Sequence, residues 1–290
     1  MSLSDQQLQQ LAATRQRAGG RIPADAVAEI VASGVTIEQL MLALIPMAKT
    51  FAIPPISNFF VGAVALGASG ALYFGANYEF PGQALSFCVH GEQAATTEAI
   101  SFGERGIRMI AVSAAPCGYC RQFLNELTTA SELQVLLPNM APTPLTTLLP
   151  SAFGPVDLGV TAALMSEQDH QLALVDAPGD DAVANAALRA ANASYAPYSA
   201  SYSGIALQTS DGSIYTGGVA ENAAFNPSMS PLEAALVTLV INGGRKYADI
   251  TDAVLVEVQG AVASQTAATR DVLSAMTDVP LRVFTAAPRP

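Results

Sequence analysis

Three residues able to bind a borderline-soft divalent ion fall in two short runs: His90 in His90-Gly91-Glu92, then Cys117 and Cys120 in Pro116-Cys117-Gly118-Tyr119-Cys120. Imidazole nitrogen and thiolate sulfur suit Zn2+, and a Cys-x-x-Cys pair at a helix start presents both sulfurs to one ion. Three protein donors leave a tetrahedral ion one open corner for water, which is the arrangement of a hydrolytic zinc site rather than a structural one. Glu92, two residues beyond His90, can face that corner, take a proton from the bound water and return it to a leaving group. The cysteine pair alone also fits a redox couple or half of a structural zinc site. A redox couple leaves His90 and Glu92 unexplained, and a structural site needs a fourth donor. The nearest spare thiol, Cys88, stands on a strand-like approach and reads as buried apolar filler. Taken without the motif, Glu92 reads as a carboxylate favoured by a helix dipole.

These donors need helix starts and strand ends to hold them. Residues 60–66 and 71–75 read as strands around a Gly67-Ala68-Ser69-Gly70 turn, followed by a helix from near Gly91, a strand over 109–114 and a helix from Cys117 through Leu127. Strand, helix, strand, helix implies an α/β layer with parallel pairing, in which sites gather at C-terminal strand edges and helix N-termini. A helix N-terminus also favours thiolate over thiol. Upstream, residues 1–44 read as helical segments broken at Gly19-Gly20 and Ser33-Gly34, the last stopping at Pro46. Downstream, the Pro-, Leu- and Thr-rich stretch 129–180 reads as the end of the catalytic domain and an extended connector. His170 lies in it with no second His or Cys at ligand spacing, so metal binding is not expected there.

The chain also repeats itself. Gly62, Gly70, Tyr73, Gly75 and Glu79 recur at one constant offset as Gly204, Gly212, Tyr215, Gly217 and Glu221, which implies a second copy of the fold. That copy cannot hold zinc in the same way. Pro231, Leu232 and Glu233 stand where His90 and Glu92 should recur, and no cysteine follows Cys120.

A chain of 290 residues should bury roughly 75% of its unfolded surface, enough for two domains. Three cysteines, two of them in the metal motif, do not make a secreted disulfide framework. With no basic leader before an apolar run and every long apolar stretch broken by Pro or charge, a cytoplasmic protein with no membrane partner is expected. A formal charge of -11 and a pI near 4.5 argue against a nucleic-acid partner, because binding a phosphate backbone needs clustered Lys and Arg. A small molecule is the better substrate class than a polynucleotide.

The zinc motif, together with Ser57-Asn58-Phe59-Phe60-Val61-Gly62, Phe74-Gly75-Ala76-Asn77-Tyr78-Glu79-Phe80 and Cys120-Arg121-Gln122-Phe123-Leu124-Asn125-Glu126-Leu127, resembles the larger, two-domain, dimeric bacterial cytidine deaminases. The resemblance runs from about residue 45 to near the end. It implies a three-layer α/β/α cytidine-deaminase-like fold, duplicated, with a small N-terminal helical domain. The expected divisions are 1–45 for the helical domain, 46–150 for the catalytic zinc domain, 151–180 for a connector and 181–290 for a second deaminase-like domain without the metal.

It further implies one Zn2+ per chain held by His90, Cys117 and Cys120, and Glu92 as catalytic proton shuttle. The reaction would convert cytidine and deoxycytidine to uridine and deoxyuridine with release of ammonia, through attack of zinc-bound hydroxide at C4. At matching positions the family packs Phe59 against the pyrimidine and reads the ribose 3′-hydroxyl with Asn77 and Glu79. It also sets the main chain of Gly91 and Ala115 against the base. Gly91 stands where alanine is common, and Ala115 where Ser or Thr is more usual. Ala224 and Phe225, in Ala220-Glu221-Asn222-Ala223-Ala224-Phe225-Asn226-Pro227, would close the pocket of a neighbouring subunit in a homodimer. Read without the family, Phe59 and Phe225 are core residues, Asn77 a turn residue and Glu79 a surface charge. Two rivals remain at this point: a catalytically silent zinc-stabilised scaffold of the same fold, and a deaminase of bases in RNA or DNA.

Overall fold

The computed structural model describes residues 3–175 and 179–289. They form two compact units, one within Met1–Glu79 and Ser86–Ser166, the other within Phe80–Leu85 and Glu167–Pro290.

The first unit opens with helices α1 (Asp5–Arg17), α2 (Ala24–Ala32) and α3 (Ile37–Lys49). Ser4 with Gln7 and Thr36 with Gln39 close reciprocal capping boxes at the starts of α1 and α3, so two otherwise unsatisfied N–H groups are met at each. Pro46 does not stop α3 as expected. The helix runs on to Lys49 and buries Leu40, Met41, Leu44, Ile45 and Ala48. That apolar stripe offsets the one helical bond that a proline removes, a loss of about 3 kcal/mol.

Strands β1 (Gly62–Gly67), β2 (Leu72–Ala76), β3 (Tyr78–Glu79) and β4 (Cys88–Val89) follow, then helix α4 (Gly91–Ser101), strand β5 (Ile107–Val112) and helix α5 (Gly118–Leu124). Strands β6 (Gln134–Leu136) and β7 (Thr143–Pro144) and helix α6 (Leu145–Leu148) complete the unit. The main sheet has the order β2-β1-β5-β6-β7. Parallel pairing, expected throughout the layer, holds only between β5 and β6; β1 is antiparallel to both β2 and β5. The cause is the tight turn at Gly70 (φ +93°), which can join only antiparallel neighbours. Helix α4 then crosses from β2 to the parallel strand β5 with β1 lying between them.

The layers follow from the register. Ala63 pairs with Gly75, so those two residues point to one face, while Gly62 points to the other. A Cβ on Gly62 would meet the Ile45 carbonyl of α3 at 2.8 Å, and one on Gly75 would meet the Gly91 carbonyl of α4 at 2.1 Å. Helices α3 and α4 therefore cover opposite faces, each drawn in over a glycine. Nine residues of α4, Gly91 through Ala99, are buried, as befits a helix enclosed on all sides.

The second unit repeats this plan with β8 (Leu172–Leu174), α7 (Ala182–Asn192), β9 (Ser203–Thr209), β10 (Ile214–Gly218), α8 (Pro231–Ile241), β11 (Ile250–Val258), α9 (Thr266–Ser274) and β12 (Leu281–Pro288). Its sheet order is β10-β9-β11-β12-β8. Gly204 meets Ala187 and Ala191 of α7 as Gly62 meets Ile45 and Lys49 of α3, and Gly217 meets Pro231 and Ala235 of α8 as Gly75 meets Gly91 and Ala95 of α4. The repeated glycines seen in the sequence thus do the same job twice. The fifth strand differs: β7 follows β6 in the chain, whereas β8 precedes α7 and pairs antiparallel with β12.

The stretch 151–180, expected to be an extended connector, carries defined structure in its described part. The Leu164 N–H donates to the Glu126 carbonyl at 2.9 Å and its carbonyl accepts from Thr128 N–H at 3.0 Å, while Leu172–Leu174 forms the edge strand β8. Leu164 and Leu172 are buried, which ties these short segments down. Residues 176–178 of that stretch lie outside the described residues. Among the described residues no single helix is long and apolar enough to cross a membrane.

Candidate active site

Two helix starts in the first unit bring the donors together. His90 is the N-cap of α4, with extended backbone, and its N–H donates to Gln93 Oε1 at 3.1 Å. Cys117 is the N-cap of α5, and its sulfur accepts from Cys120 N–H at 3.5 Å. His90 Nδ1 lies 3.6 Å from Cys117 Sγ and 3.2 Å from Cys120 Sγ, and the two sulfurs are 3.6 Å apart. A tetrahedral zinc with ordinary bond lengths requires about 3.8 Å between two sulfurs and about 3.6 Å between sulfur and nitrogen. The trio matches that requirement to within about 0.4 Å without rearrangement of the chain.

The electrostatics of the trio point to the same ion. The Cys120 N–H and sulfur and the His90 ring hold the Cys117 thiol down at about 3, whereas the neighbouring Cys117 sulfur and burial push the Cys120 thiol upward. The Cys117 and Cys88 sulfurs raise the His90 imidazole to about 10. Two adjacent thiolates in a partly buried pocket repel each other, and a divalent cation among them removes that conflict. Among the described residues, no other cluster of His, Cys, Asp or Glu has this arrangement.

A cavity of about 440 Å³ opens over the donors, within the size range of small-molecule sites. Glu92 lines it from the first turn of α4, 3% exposed and against Cys120. Burial pushes its carboxyl above the usual carboxylate range, against the opposing pull of its own backbone N–H and the Cys120 contact. It is therefore a protonatable group in the pocket wall and not a solvated helix-end charge.

The structure brings Phe59, Asn77, Glu79, Gly91 and Ala115 to this same cavity. Phe59 is 59% exposed, so it is a wall residue and not core. Asn77 Oδ1 accepts from Val61 N–H at 2.9 Å and its amide donates to the Phe59 carbonyl at 2.9 Å, which fixes the chain on either side of Phe60. Glu79 Oε2 accepts from the Ile56 and Ser57 N–H groups at 2.9 and 2.8 Å, and Oε1 from Ser57 Oγ at 2.5 Å. Burial opposes ionisation of Glu79, but those bonds outweigh it and hold its carboxyl below the usual range. A Cβ on Gly91 would sit 3.1 Å from Val61 Cγ1, so an alanine here would require that methyl to move by a few tenths of an ångström.

Ala224 and Phe225 are exposed in a tight loop of the second unit and are not among the residues lining this cavity. Phe225 takes φ +62° and is 68% exposed, which overturns core packing as its role. Cys88 is also not the buried filler expected: it is partly exposed and lines the cavity beside His90. Ser57 and Val61 were missed in the sequence, because a hydroxyl bonded 22 residues away and a methyl contact leave no local pattern. His170 stays outside any donor group; its Nε2 pairs with the Ser194 carbonyl at 2.7 Å and its ring stacks on Tyr202.

Two family models, both described as the cytidine and deoxycytidylate deaminase zinc-binding region, match residues 35–136 and 145–270. A cytidine deaminase of Yersinia pestis (strain Pestoides F) is 49% identical over 244 residues, 84% of this chain and 82% of that one. Another, of Vibrio vulnificus (strain CMCP6), is 46% identical over 250 residues, 86% of this chain and 83% of that one. The chain belongs to the cytidine deaminase family. A solved cytidine deaminase from Mycobacterium tuberculosis is 31% identical and aligns with 41% of this chain and 98% of its own, with a TM-score of 0.38. Zinc is the cofactor of this cytidine deaminase family member, and among the described residues His90, Cys117 and Cys120 form the group that could hold it. The second match lies mostly on the second unit, in which no group of donors able to hold a metal occurs among the described residues. There α8 occupies the place of α4, and the shared glycine contacts put Ser230 in the position of His90 and Leu232 in that of Glu92.

Proposed function

We propose that the protein hydrolyses cytidine and 2′-deoxycytidine to uridine and 2′-deoxyuridine with release of ammonia, a pyrimidine-salvage reaction. The observation that carries this reading is the buried Glu92 carboxyl against a zinc-matched His90, Cys117 and Cys120 trio at the base of a nucleoside-sized cavity.

Zinc held by the trio supplies a Lewis acid that makes a water molecule acidic near neutral pH. Glu92 takes one proton from the attacking water and delivers it to N3 of the pyrimidine while the oxygen bonds to C4. The same carboxyl then carries the remaining hydroxyl proton to the exocyclic nitrogen, the C4–N4 bond breaks, and ammonia leaves. A carboxyl with its proton affinity raised by burial suits both directions of transfer. In this reading Phe59 covers the pyrimidine face, Asn77 and Glu79 read the ribose 3′-hydroxyl, and the main chain at Gly91 and Ala115 meets the polar edge of the base. The first unit is the catalytic domain, and the second, with no such donor group among its described residues, is not. Ala224 and Phe225 serve a partner's pocket in a cytoplasmic homodimer, and the exposure of Phe225 supports that assignment.

The test is ultraviolet-monitored turnover of cytidine by zinc-loaded protein, with sedimentation to determine the oligomeric state. Turnover with one zinc per chain supports the reading. A zinc-loaded protein inert toward cytidine would leave the silent scaffold.

A further inference from the structure

The duplicated fold contains its own control for the pocket wall. In the first unit the loop 54–60 carries Phe59 over the cavity, and Glu79 holds that loop by accepting from Ile56 N–H, Ser57 N–H and Ser57 Oγ. Ser57 Oγ in turn accepts from Phe59 N–H at 3.0 Å. The second unit reproduces every bond. Glu221 accepts from Tyr198 N–H at 2.9 Å, Ser199 N–H at 3.2 Å and Ser199 Oγ, and Ser199 Oγ accepts from Ser201 N–H at 3.0 Å.

The backbone agrees as well. Asn58 and Ala200, at equivalent places in the two loops, both take φ +53°. An asparagine visits that left-handed region readily, but an alanine has no side-chain group to favour it. In the second loop the surrounding hydrogen bonds must therefore impose the turn. That unit has Ser230 and Leu232 where His90 and Glu92 stand and no cysteine, so the serine-glutamate arrangement persists where there is no zinc chemistry to serve. Asn77 behaves differently: Val219 stands at its equivalent position in the second unit.

We infer that Ser57 is a positioning residue, whose hydroxyl locks Glu79 to the loop and thereby sets the Phe59 ring over the substrate. Glu79 is then first a loop clamp, and its contact with a ribose hydroxyl uses only the acceptor capacity left over. This rests on the reaction proposed above for its kinetic readout but not for its structural one.

The chain contains no tryptophan, so Phe59→Trp introduces a single fluorescent reporter at the loop tip. In that background, without substrate, Ser57→Ala lowers the reporter's anisotropy and increases its collisional quenching, and Ser57→Thr restores both. In the parent background Ser57→Ala raises KM about tenfold, the scale of one hydrogen bond to a charged group, for cytidine and 3′-deoxycytidine alike, with kcat nearly unchanged. An unchanged reporter together with a KM rise confined to cytidine overturns the clamp, because Ser57 would then act only through the ribose contact. A parent protein inert toward cytidine overturns the reaction and not the clamp, which the reporter decides by itself.

Discussion

His90 and Cys117 are the N-cap residues of α4 and α5, and 3.6 Å separates His90 Nδ1 from Cys117 Sγ. Each residue sits at a helix start, where the local field is positive and favours a thiolate at Cys117 over a thiol. Replacing His90 by Ala or Cys120 by Ser removes one of three donors. Each variant should lose zinc on dialysis against a weak chelator while the parent keeps one per chain, as read by plasma emission, and its melting temperature should fall toward that of the metal-free parent.

Gly75 and Gly217 test the duplication through packing. A Cβ at Gly75 would lie 2.1 Å from the Gly91 carbonyl and 2.3 Å from Ala95 N, and one at Gly217 would lie 2.3 Å from the Pro231 carbonyl and from Ala235 N. These are backbone atoms and cannot step aside cheaply. Gly75→Ala and Gly217→Ala should each cost about 3 kcal/mol or more in denaturant unfolding. The Gly75 change should also lower turnover by displacing the helix start that carries Glu92.

The Glu79 clamp has a defined acid limit. Its carboxyl pKa is lower in the folded chain than in the unfolded one, so its stabilisation is complete above the ordinary glutamate range near 4.3 and is lost as pH falls through the lowered value. Reporter mobility at position 59 should therefore rise on acidification below about pH 4. Glu79→Gln should show the mobile state at every pH. A clamp that loosens instead on going alkaline contradicts this assignment.

In the second unit Arg282 joins two carboxylates. Its Nε and one terminal nitrogen donate to Asp252 at 3.0 and 2.5 Å, and the other terminal nitrogen donates to Asp181 at 2.6 Å. Asp181 also caps α7 by accepting from the Val183 and Ala184 N–H groups. The guanidinium is more than one-third exposed, so solvent screening limits the loss on Arg282→Ala to about 1 kcal/mol. The bond to Arg282, then the cap bond from Ala184, depresses the Asp181 pKa, so this contribution should vanish as pH falls through the depressed value.

The metal centre was legible because imidazole and thiolate donors at helix starts form a short, specific pattern, and the duplication because turn and close-approach glycines cannot be replaced freely. Pairing direction was legible only in part: the Gly67-Ala68-Ser69-Gly70 turn requires β1 and β2 to be antiparallel, but the α4 crossover joins β2 to β5 over an intervening β1, and no local signal encodes which strand lies between. Strands β6 and β7 were hidden in a Pro- and Leu-rich stretch because three and two residues are too few for an alternating pattern. For Phe225, hydrophobicity alone suggests core packing, and only the family resemblance suggests an exposed wall. Its exposure comes from a φ +62° turn closed by Phe225 N–H to the Asn222 carbonyl at 2.8 Å, which hydrophobicity alone does not reveal.

The central claim is that Glu92 moves protons beside a zinc held by His90, Cys117 and Cys120. It is tested most directly by measuring zinc per chain and cytidine turnover on the same preparations of parent and Glu92→Gln protein. The amide keeps the size of the side chain but cannot accept and return a proton. One zinc per chain in both proteins, with turnover lower in the variant by about 10²- to 10⁴-fold or more, is the predicted result. Near-parental turnover in a zinc-loaded Glu92→Gln variant would contradict it.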